Sequence, residues 1–107
     1  MQRIGSVNRL PKENAAEYER LHADAWPGVL ATLTANNMTN YSIYKHGEIL
    51  FSYLEYTGTD LVADNARIAA DPVTQQWWDV CKPLMLPYED RAEGEWWTPL
   101  PEIFHHD

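Results

Sequence analysis

The chain has 107 residues, and its 16 acidic and 8 basic side chains give a formal net charge of −8. The length suits one domain, residues 1–107, with a modest hydrophobic core. The acidic balance argues against binding to nucleic acid or an anionic membrane, because both require a cationic patch. Five Trp and six Tyr residues favour a polar organic ligand with an apolar face.

The cysteine content and the N-terminus indicate the compartment. Cys81 is the single cysteine, so no disulfide can form within the chain, and we expect its side chain to be buried. The N-terminus lacks the pattern of a secretory signal, and no apolar run approaches the ~18 residues of a membrane span. These features predict a cytoplasmic protein.

The first third of the chain predicts a strand followed by a broken helix. Residues 3–10 are the strand candidate. The helix that follows has Asn14 as its candidate N-cap, and it should end at Trp26 because Pro27 cannot donate a hydrogen bond in a helix interior. Pro27 suits the first turn of a second helical segment, residues 28–35.

The middle of the chain predicts a β-hairpin. Residues 39–45 alternate between apolar and polar side chains, and residues 48–56 are rich in Ile, Phe, Tyr and Leu. Two such runs joined by a short link with glycine are typical of a hairpin, and we place its turn at His46-Gly47.

The last part of the chain predicts two helices and a strand. Residues 58–70 have helical periodicity, and Asp71-Pro72 is a strong start signal for a further helix that ends near Cys81. The final strand is expected within residues 97–106, centred on Ile103-Phe104.

The predicted order is strand, helix, strand, strand, helix, strand. This order is typical of an α+β protein with the ferredoxin-like βαββαβ arrangement, an antiparallel sheet with helices on one face. Such a sheet leaves its second face uncovered, so we expect a homodimer of the dimeric α/β-barrel type.

Several kinds of catalytic motif are missing from the sequence. It has no glycine-rich phosphate loop, no zinc-binding HExxH or CxxC, and no nucleophile-elbow serine. The four histidines lack metal-ligand spacing with a second strong ligand, so we expect no metal site. The histidines are His22, His46, His105 and His106.

The stretch from Tyr18 to Pro27 contains the main candidate for catalysis. His22 follows Tyr18 by four residues, so both side chains lie on the apolar face of one helix. Two interpretations of His22 are open. It is either a core histidine hydrogen-bonded to a backbone carbonyl, which position alone favours, or a general acid/base at the edge of a pocket.

Paired tryptophans raise a second question. Trp77 and Trp78 point about 100° apart if they lie on a helix, so one core face cannot hold both, and the other indole must cover a pocket, an interface or solvent. For Trp96 and Trp97, the neighbouring prolines favour a role in packing or at an interface. On the first hairpin strand, Tyr41 and Ile43 should lie on one face and Ser42 and Tyr44 on the other.

These residues together resemble the L-rhamnose mutarotase family along essentially the whole chain. The resemblance rests on a Tyr-x-x-x-His-x-x-x-Trp-Pro stretch followed by further motifs in the same order. The motifs are Tyr18, His22, Trp26-Pro27, Asn40-Tyr41, Ile43-Tyr44, Trp77-Trp78 and Glu102-Ile103-Phe104-His105.

The resemblance implies a dimeric enzyme without cofactor or metal that interconverts the α and β anomers of L-rhamnose. It implies that His22 is the proton donor and that four aromatic residues contact the sugar. These are Tyr18, Tyr41, Trp77 and Trp78. We therefore expect His22 to act as an acid at the ring oxygen, with the partner base unidentified.

Two alternatives are open at this point. A cofactor-free oxygenase of the dimeric α/β-barrel type would have the same predicted fold, an argument from fold alone. A sugar-binding or regulatory module would use the aromatic residues without turnover, and His22 would then be structural.

Overall fold

A computed structural model describes residues 1–107 as a four-stranded antiparallel sheet with four helices. The strands are β1 (Gln2–Arg9), β2 (Met38–His46), β3 (Ile49–Tyr56) and β4 (Thr98–Leu100). The helices are α1 (Ala15–Ala23), α2 (Pro27–Ala35), α3 (Leu61–Ala70) and α4 (Pro72–Cys81). The strand order β2-β3-β1-β4 is that of the ferredoxin-like fold, so the predicted fold class is confirmed.

The helix starts follow the local chemistry of the sequence. Pro27 occupies the first turn of α2, as predicted. The preceding helix ends at Ala23 and not at Trp26, because Asp24 already leaves the helical conformation with a φ of −134° and a ψ of 58°. At the start of α4, the Asp71 carboxylate accepts a hydrogen bond from the Thr74 amide at 2.9 Å, as its N-cap position predicts. Asn14 does precede α1, but its side chain does not cap the helix and donates to the Leu84 carbonyl at 3.0 Å. None of the helices is both long and apolar enough to cross a membrane.

The hairpin of β2 and β3 is confirmed, with its turn one residue later than expected. His46 is the last residue of β2 and pairs with Ile49. The turn therefore consists of Gly47 and Glu48, and Gly47 adopts a φ of 59°, which glycine tolerates without steric cost.

The final strand differs from the prediction. It spans Thr98–Leu100 and pairs with β1, whereas Ile103 and Phe104 lie beyond it and are 94% and 81% exposed. Residues with high strand propensity form a strand only where a neighbouring strand offers hydrogen-bonding groups. The tail after Leu100 has no such neighbour in this chain, although a two-bond ion pair from Arg3 to Glu102 holds its beginning beside β1.

An irregularity in β2 decides which side chains face the helices. Thr39 pairs with Glu55 and Ser42 with Tyr53, so β2 has one more residue than β3 over this stretch. The extra residue is a β-bulge, and Asn40 within it has a φ of 47°. The bulge changes the alternation of side chains along β2.

The core lies between the helices and one face of the sheet, which we call the inner face. Three groups of buried side chains make up this core. They are Leu10, Tyr18 and Leu50; Val29, Trp77 and Cys81; and Met38, Tyr56 and Ile68. Cys81 is buried, as expected. The opposite, outer face carries no helix, which is why only 13 of the 107 residues are buried in the single chain.

Candidate functional site

Four aromatic rings form a continuous row at the end of α1. The His22 ring stacks on the Tyr18 ring with centroids 4.0 Å apart, as their spacing of one helical turn allows. The Trp77 indole from α4 meets the other side of His22 edge-on at 5.1 Å, and Trp26 meets Trp77 at 5.2 Å. This row joins α1, α4 and the start of α2, so the orientation of the imidazole is fixed by packing on both sides.

The hydrogen bonding of His22 determines its tautomer. Its Nδ1 lies 2.8 Å from the carbonyl oxygen of Tyr18. Because a carbonyl only accepts, Nδ1 must carry the proton, and in the neutral ring Nε2 then holds a lone pair. Nε2 has no partner in the protein. Burial lowers the pKa of His22 below 6.5, and the hydrogen bond to Tyr18 opposes this in part, so the ring is neutral at pH 7.

His22 lies between two adjacent cavities. The first, which we call the Trp77 cavity, has a volume of about 330 Å³ and is enclosed mainly by apolar side chains of α2, β2 and α4. The second, the Tyr18 cavity, has a volume of about 400 Å³ and lies between α1 and the hairpin. His22 and Ile43 line both cavities. The Trp77 cavity is also lined by Ala25, Val29, Leu30, Leu33, Tyr41 and Trp77, and the Tyr18 cavity by Leu10, Tyr18, Glu19, Ala23, Tyr44, Lys45 and Leu50.

Tyr18 lines the Tyr18 cavity, and Tyr41 lines the Trp77 cavity. Tyr18 is 4% exposed, and its hydroxyl has no hydrogen-bond partner in the protein. Burial, followed by the nearby Tyr41 hydroxyl, raises the pKa of Tyr18. Tyr41 is 40% exposed as a whole residue, yet burial around its hydroxyl raises the pKa of Tyr41 as well. Both phenols stay protonated near neutral pH and can donate hydrogen bonds to a ligand.

The two neighbouring tryptophans have different surroundings. Trp77 is 7% exposed, belongs to the core and forms part of the wall of the Trp77 cavity. Trp78 lines neither cavity and packs against the buried group of Met38, Tyr56 and Ile68, while the Lys82 ammonium lies 4.4 Å from the centre of its ring. The structure therefore brings Tyr18, His22, Tyr41 and Trp77 together and places Trp78 beside them.

Several residues of the site were not among the predicted site residues. Ile43 separates the two cavities, and Val29, Leu30 and Leu33 form an apolar wall that reads in the sequence only as the buried face of a helix. Lys45 reaches from β2 to Glu19 on α1 at 3.2 Å, and both residues line the Tyr18 cavity. Alternation along β2 predicted the position of Ile43, but contacts between elements distant in sequence had no local signature.

The remaining paired aromatic residues lie outside the site. Trp97 packs against the buried Leu10, Tyr18 and Leu50, whereas Trp96 lies beside the side chains of Lys82 and Arg91. No group of three or more His, Cys, Asp and Glu side chains is arranged to hold a metal ion.

Fold and site together define a class of protein. It is an α+β protein whose helices and inner sheet face enclose an apolar, aromatic site with two phenolic donors and one imidazole nitrogen free to exchange a proton. Such a site suits a small neutral ligand with both apolar and hydroxyl surfaces.

Comparison with known sequences gives the family. The sequence model of L-rhamnose mutarotase matches residues 3–106. An L-rhamnose mutarotase of Lactiplantibacillus plantarum is 37% identical over 112 aligned positions, covering all of both chains. Another, of Bacteroides thetaiotaomicron, is 36% identical over 94 positions and 86% of each chain. The chain belongs to the L-rhamnose mutarotase family, whose members are isomerases acting on the anomeric carbon of a sugar.

Solved structures agree with the fold. The crystal structure of an L-rhamnose mutarotase from Formosa agariphila matches the whole chain with a TM-score of 0.76 at 23% identity. The tetracenomycin F2 cyclase of Streptomyces glaucescens matches with a TM-score of 0.75 at 13% identity, covering all of this chain and 98% of the cyclase. Because two different activities share this fold, the fold alone does not distinguish between them.

Proposed function

We propose that the chain interconverts the α and β anomers of L-rhamnose in the two cavities at His22. The observation that carries this proposal is the state of the imidazole. Nδ1–H is held by the Tyr18 carbonyl, so the free Nε2 is a base, and this base lies between two cavities large enough for a sugar ring. Ring opening of a hemiacetal needs a group that takes and returns one proton near neutral pH.

The proton balance of the reaction can be met by one nitrogen. Nε2 takes the proton from the anomeric hydroxyl O1 as C1 becomes a carbonyl and the bond from C1 to the ring oxygen O5 breaks. The same nitrogen returns that proton to O5, since O1 and O5 were bonded to one carbon. Rotation about C1–C2 turns the other face of the aldehyde toward O5, and the reverse transfers close the ring to the opposite anomer.

This order differs from the expectation that His22 starts as the acid. A neutral imidazole with its Nδ1 proton engaged has no proton to give until Nε2 has accepted one. His22 is thus a base first and an acid second, and a separate partner base is unnecessary. The backbone contact of a core histidine and the function of a catalytic one coexist in the same residue.

Binding of the sugar is supported by the polarity of the cavity walls. In the proposal, the Tyr18 and Tyr41 hydroxyls donate to oxygen atoms of the sugar, including O5, on which negative charge develops as the bond from C1 to O5 breaks. The Trp77 indole and the apolar wall from α2 contact C–H groups and the methyl group of the 6-deoxy sugar. Trp78 stays a predicted sugar contact that rests on family resemblance alone. The net charge of −8 does not oppose binding because L-rhamnose is neutral.

Exchange between the anomers can be measured directly. Saturation transfer between the two anomeric proton signals of L-rhamnose should be faster with protein than without it. Nitrogen NMR of His22 should show Nδ1 protonated and Nε2 titrating below pH 6.5. Sugar binding without faster exchange would instead indicate a binding module, and the absence of any sugar binding would remove the proposal.

The proposal includes a homodimer formed through the outer face of the sheet. Val7 of β1 and Tyr44 of β2 flank Phe51 of β3 on that face, and Tyr44 lies on the edge strand that borders the Tyr18 cavity. Tyr44 and Phe51 are 66% and 42% exposed. A row of apolar side chains of this kind is typical of an interface, and a two-fold axis would let it pack on its own copy.

Light scattering after size exclusion tests the dimer. The chain should have twice its monomer mass of 12.4 kDa, and Phe51→Lys should yield a monomer because its charge would be buried unpaired. A monomeric wild type at micromolar concentration would contradict this part of the proposal. We also place the enzyme in the cytoplasm, where the free thiol of Cys81 would stay reduced.

A further inference from the structure

The bulge in β2 has a direct effect on the site. Without it, side chains would alternate strictly, and Met38 and Ile43, which are an odd number of positions apart along the strand, would face opposite sides of the sheet. Both nevertheless contact buried residues of the inner face. The extra residue between Thr39 and Ser42 shifts the alternation by one position, so Met38, Tyr41 and Ile43 all face the inner side of the sheet.

Two properties of Asn40 suit this bulge. Its φ of 47° lies in the left-handed region, which asparagine tolerates better than other residues with a Cβ. Its side-chain amide donates to a carboxylate oxygen of Glu55 at 2.6 Å, and Glu55 also accepts from the Tyr53 hydroxyl at 2.8 Å. The amide therefore ties the bulge to β3 on the outer face, opposite the cavity.

Asn40 itself lines neither cavity, whereas its neighbour Tyr41 lines the Trp77 cavity together with His22. Tyr41 thus depends on the backbone conformation of Asn40 for its direction. A strand without the bulge would either move Tyr41 out of the cavity or move Met38 out of the core, and the second change would expose a residue that is 6% exposed in the structure.

We propose that Asn40 is a positioning residue for the mutarotation. Its left-handed backbone and its hydrogen bond to Glu55 hold the bulge that directs Tyr41 into the cavity beside His22. This inference rests on the proposed function of that cavity. It predicts that changes at Asn40 act on the reaction through Tyr41 and not through the stability of the domain.

Three variants separate the backbone from the amide. Asn40→Ala removes the amide and penalises the left-handed conformation, and it should reduce kcat/KM about five- to tenfold. Asn40→Gly keeps that conformation accessible and removes only the amide, so its loss should be about two- to threefold. Glu55→Ala removes the acceptor without changing β2 and should resemble Asn40→Gly.

A matched control is present in the chain. Asn37 also has a positive φ, 68°, and its amide donates to Asp64 away from the cavities. Asn37→Ala should destabilise the domain while the kcat/KM of the folded protein stays unchanged. If Asn37→Ala and Asn40→Ala reduce kcat/KM equally, Asn40 has no specific positioning function.

A double-mutant cycle with Tyr41→Phe tests whether the effect passes through the Tyr41 hydroxyl. In that background, Asn40→Ala should cost less than twofold, because the group that it misplaces is already missing. An undiminished loss would overturn the proposal. If Asn40→Ala does not fold, Asn40→Gly and Glu55→Ala carry the same comparison.

A readout without catalysis distinguishes this inference from the proposed function. The ring-proton chemical shifts of Tyr41 should move toward solvent-exposed values in Asn40→Ala and stay close to wild type in Asn40→Gly. Unchanged shifts in Asn40→Ala would overturn the inference even in an active enzyme. A wild type without mutarotase activity would overturn the proposed function, and the shifts would still decide the placement of Tyr41.

Discussion

Replacing His22 separates its chemical function from its packing. His22→Ala removes the imidazole and should reduce the acceleration of anomer exchange roughly 10²–10⁴-fold, the usual range for a positioned acid/base. His22→Phe keeps an aromatic ring between Tyr18 and Trp77 but has no nitrogen. Both variants should lose catalysis to the same extent, because neither can carry a proton.

The cost in stability follows from the contacts of the ring. Two aromatic pairs, at 4.0 and 5.1 Å, contribute about 0.5–1.5 kcal/mol each, and the hydrogen bond from Nδ1 contributes about 1 kcal/mol. Because His22 is only half-buried, we expect His22→Ala to lower the free energy of unfolding by about 2 kcal/mol. His22→Phe retains the stacking and should lose about 1 kcal/mol. A domain stable by about 5–15 kcal/mol stays folded in both cases.

The assay combines saturation transfer at several protein concentrations with urea unfolding followed by circular dichroism. Correction for the fraction folded gives the rate per native molecule. An acceleration in His22→Phe within tenfold of wild type would refute the proton-transfer function. A loss in His22→Ala that His22→Phe restores would mean that the ring acts only through packing.

Three further predictions concern single groups. Since burial lowers the pKa of His22, kcat/KM should be constant above pH 6.5 and fall about tenfold per pH unit below the pKa of His22 in the folded protein. An increase in kcat/KM toward acid pH would contradict the proposal that His22 first acts as a base. Tyr18→Phe removes a hydroxyl without a protein partner, so it should leave the free energy of unfolding within about 0.5 kcal/mol of wild type and raise KM about five- to tenfold, as steady-state kinetics would show. Asp71→Ala removes the N-cap hydrogen bond to Thr74, so urea unfolding should show a loss of about 1 kcal/mol in the free energy of unfolding with kcat/KM unchanged. A reduced kcat/KM per folded molecule would contradict this prediction, because it would mean that the loss of the cap also displaces Trp77 on α4.

Local chemistry accounts for the parts of the fold that sequence reasoning predicted. A proline that ends one helix and opens another, an aspartate followed by proline, and a glycine between two alternating runs each act within a few residues. The new helix start at Pro27, the cap at Asp71 and the hairpin turn at Gly47 are therefore found where expected, within one residue. The end of α1 is not, because it lies at Ala23, three residues before Trp26.

The failures share a different cause. Ile103 and Phe104 have high strand propensity, but a strand needs a partner edge, and β1 pairs with Thr98–Leu100 instead. The bulge at Asn40 depends on the pairing of β2 with β3, and its only local signal is one asparagine. Propensity describes a residue by itself, whereas pairing is a property of two segments.

The candidate site shows the same division. Helical spacing placed Tyr18 and His22 on one face, and strand alternation placed Tyr41 with Ile43. The meeting of α1 with Trp77, and the choice of Nδ1 as the engaged nitrogen, depend on packing between elements that periodicity does not describe. The family resemblance identified Tyr18, His22, Tyr41 and Trp77 as residues of one site, but it did not give their distances or orientations.

The edge-on contact between Trp77 and His22 gives the protein an intrinsic optical probe. An imidazolium ring beside an indole quenches its fluorescence far more than a neutral imidazole does, and here the centroids are 5.1 Å apart. Emission from Trp77 should therefore fall as His22 takes up a proton, and His22→Phe should abolish that titration. Trp26, 5.2 Å from Trp77, would transfer excitation to the same indole and enlarge the signal. The protonation state of a single nitrogen could then be followed in unlabelled protein, in real time, as the sugar enters.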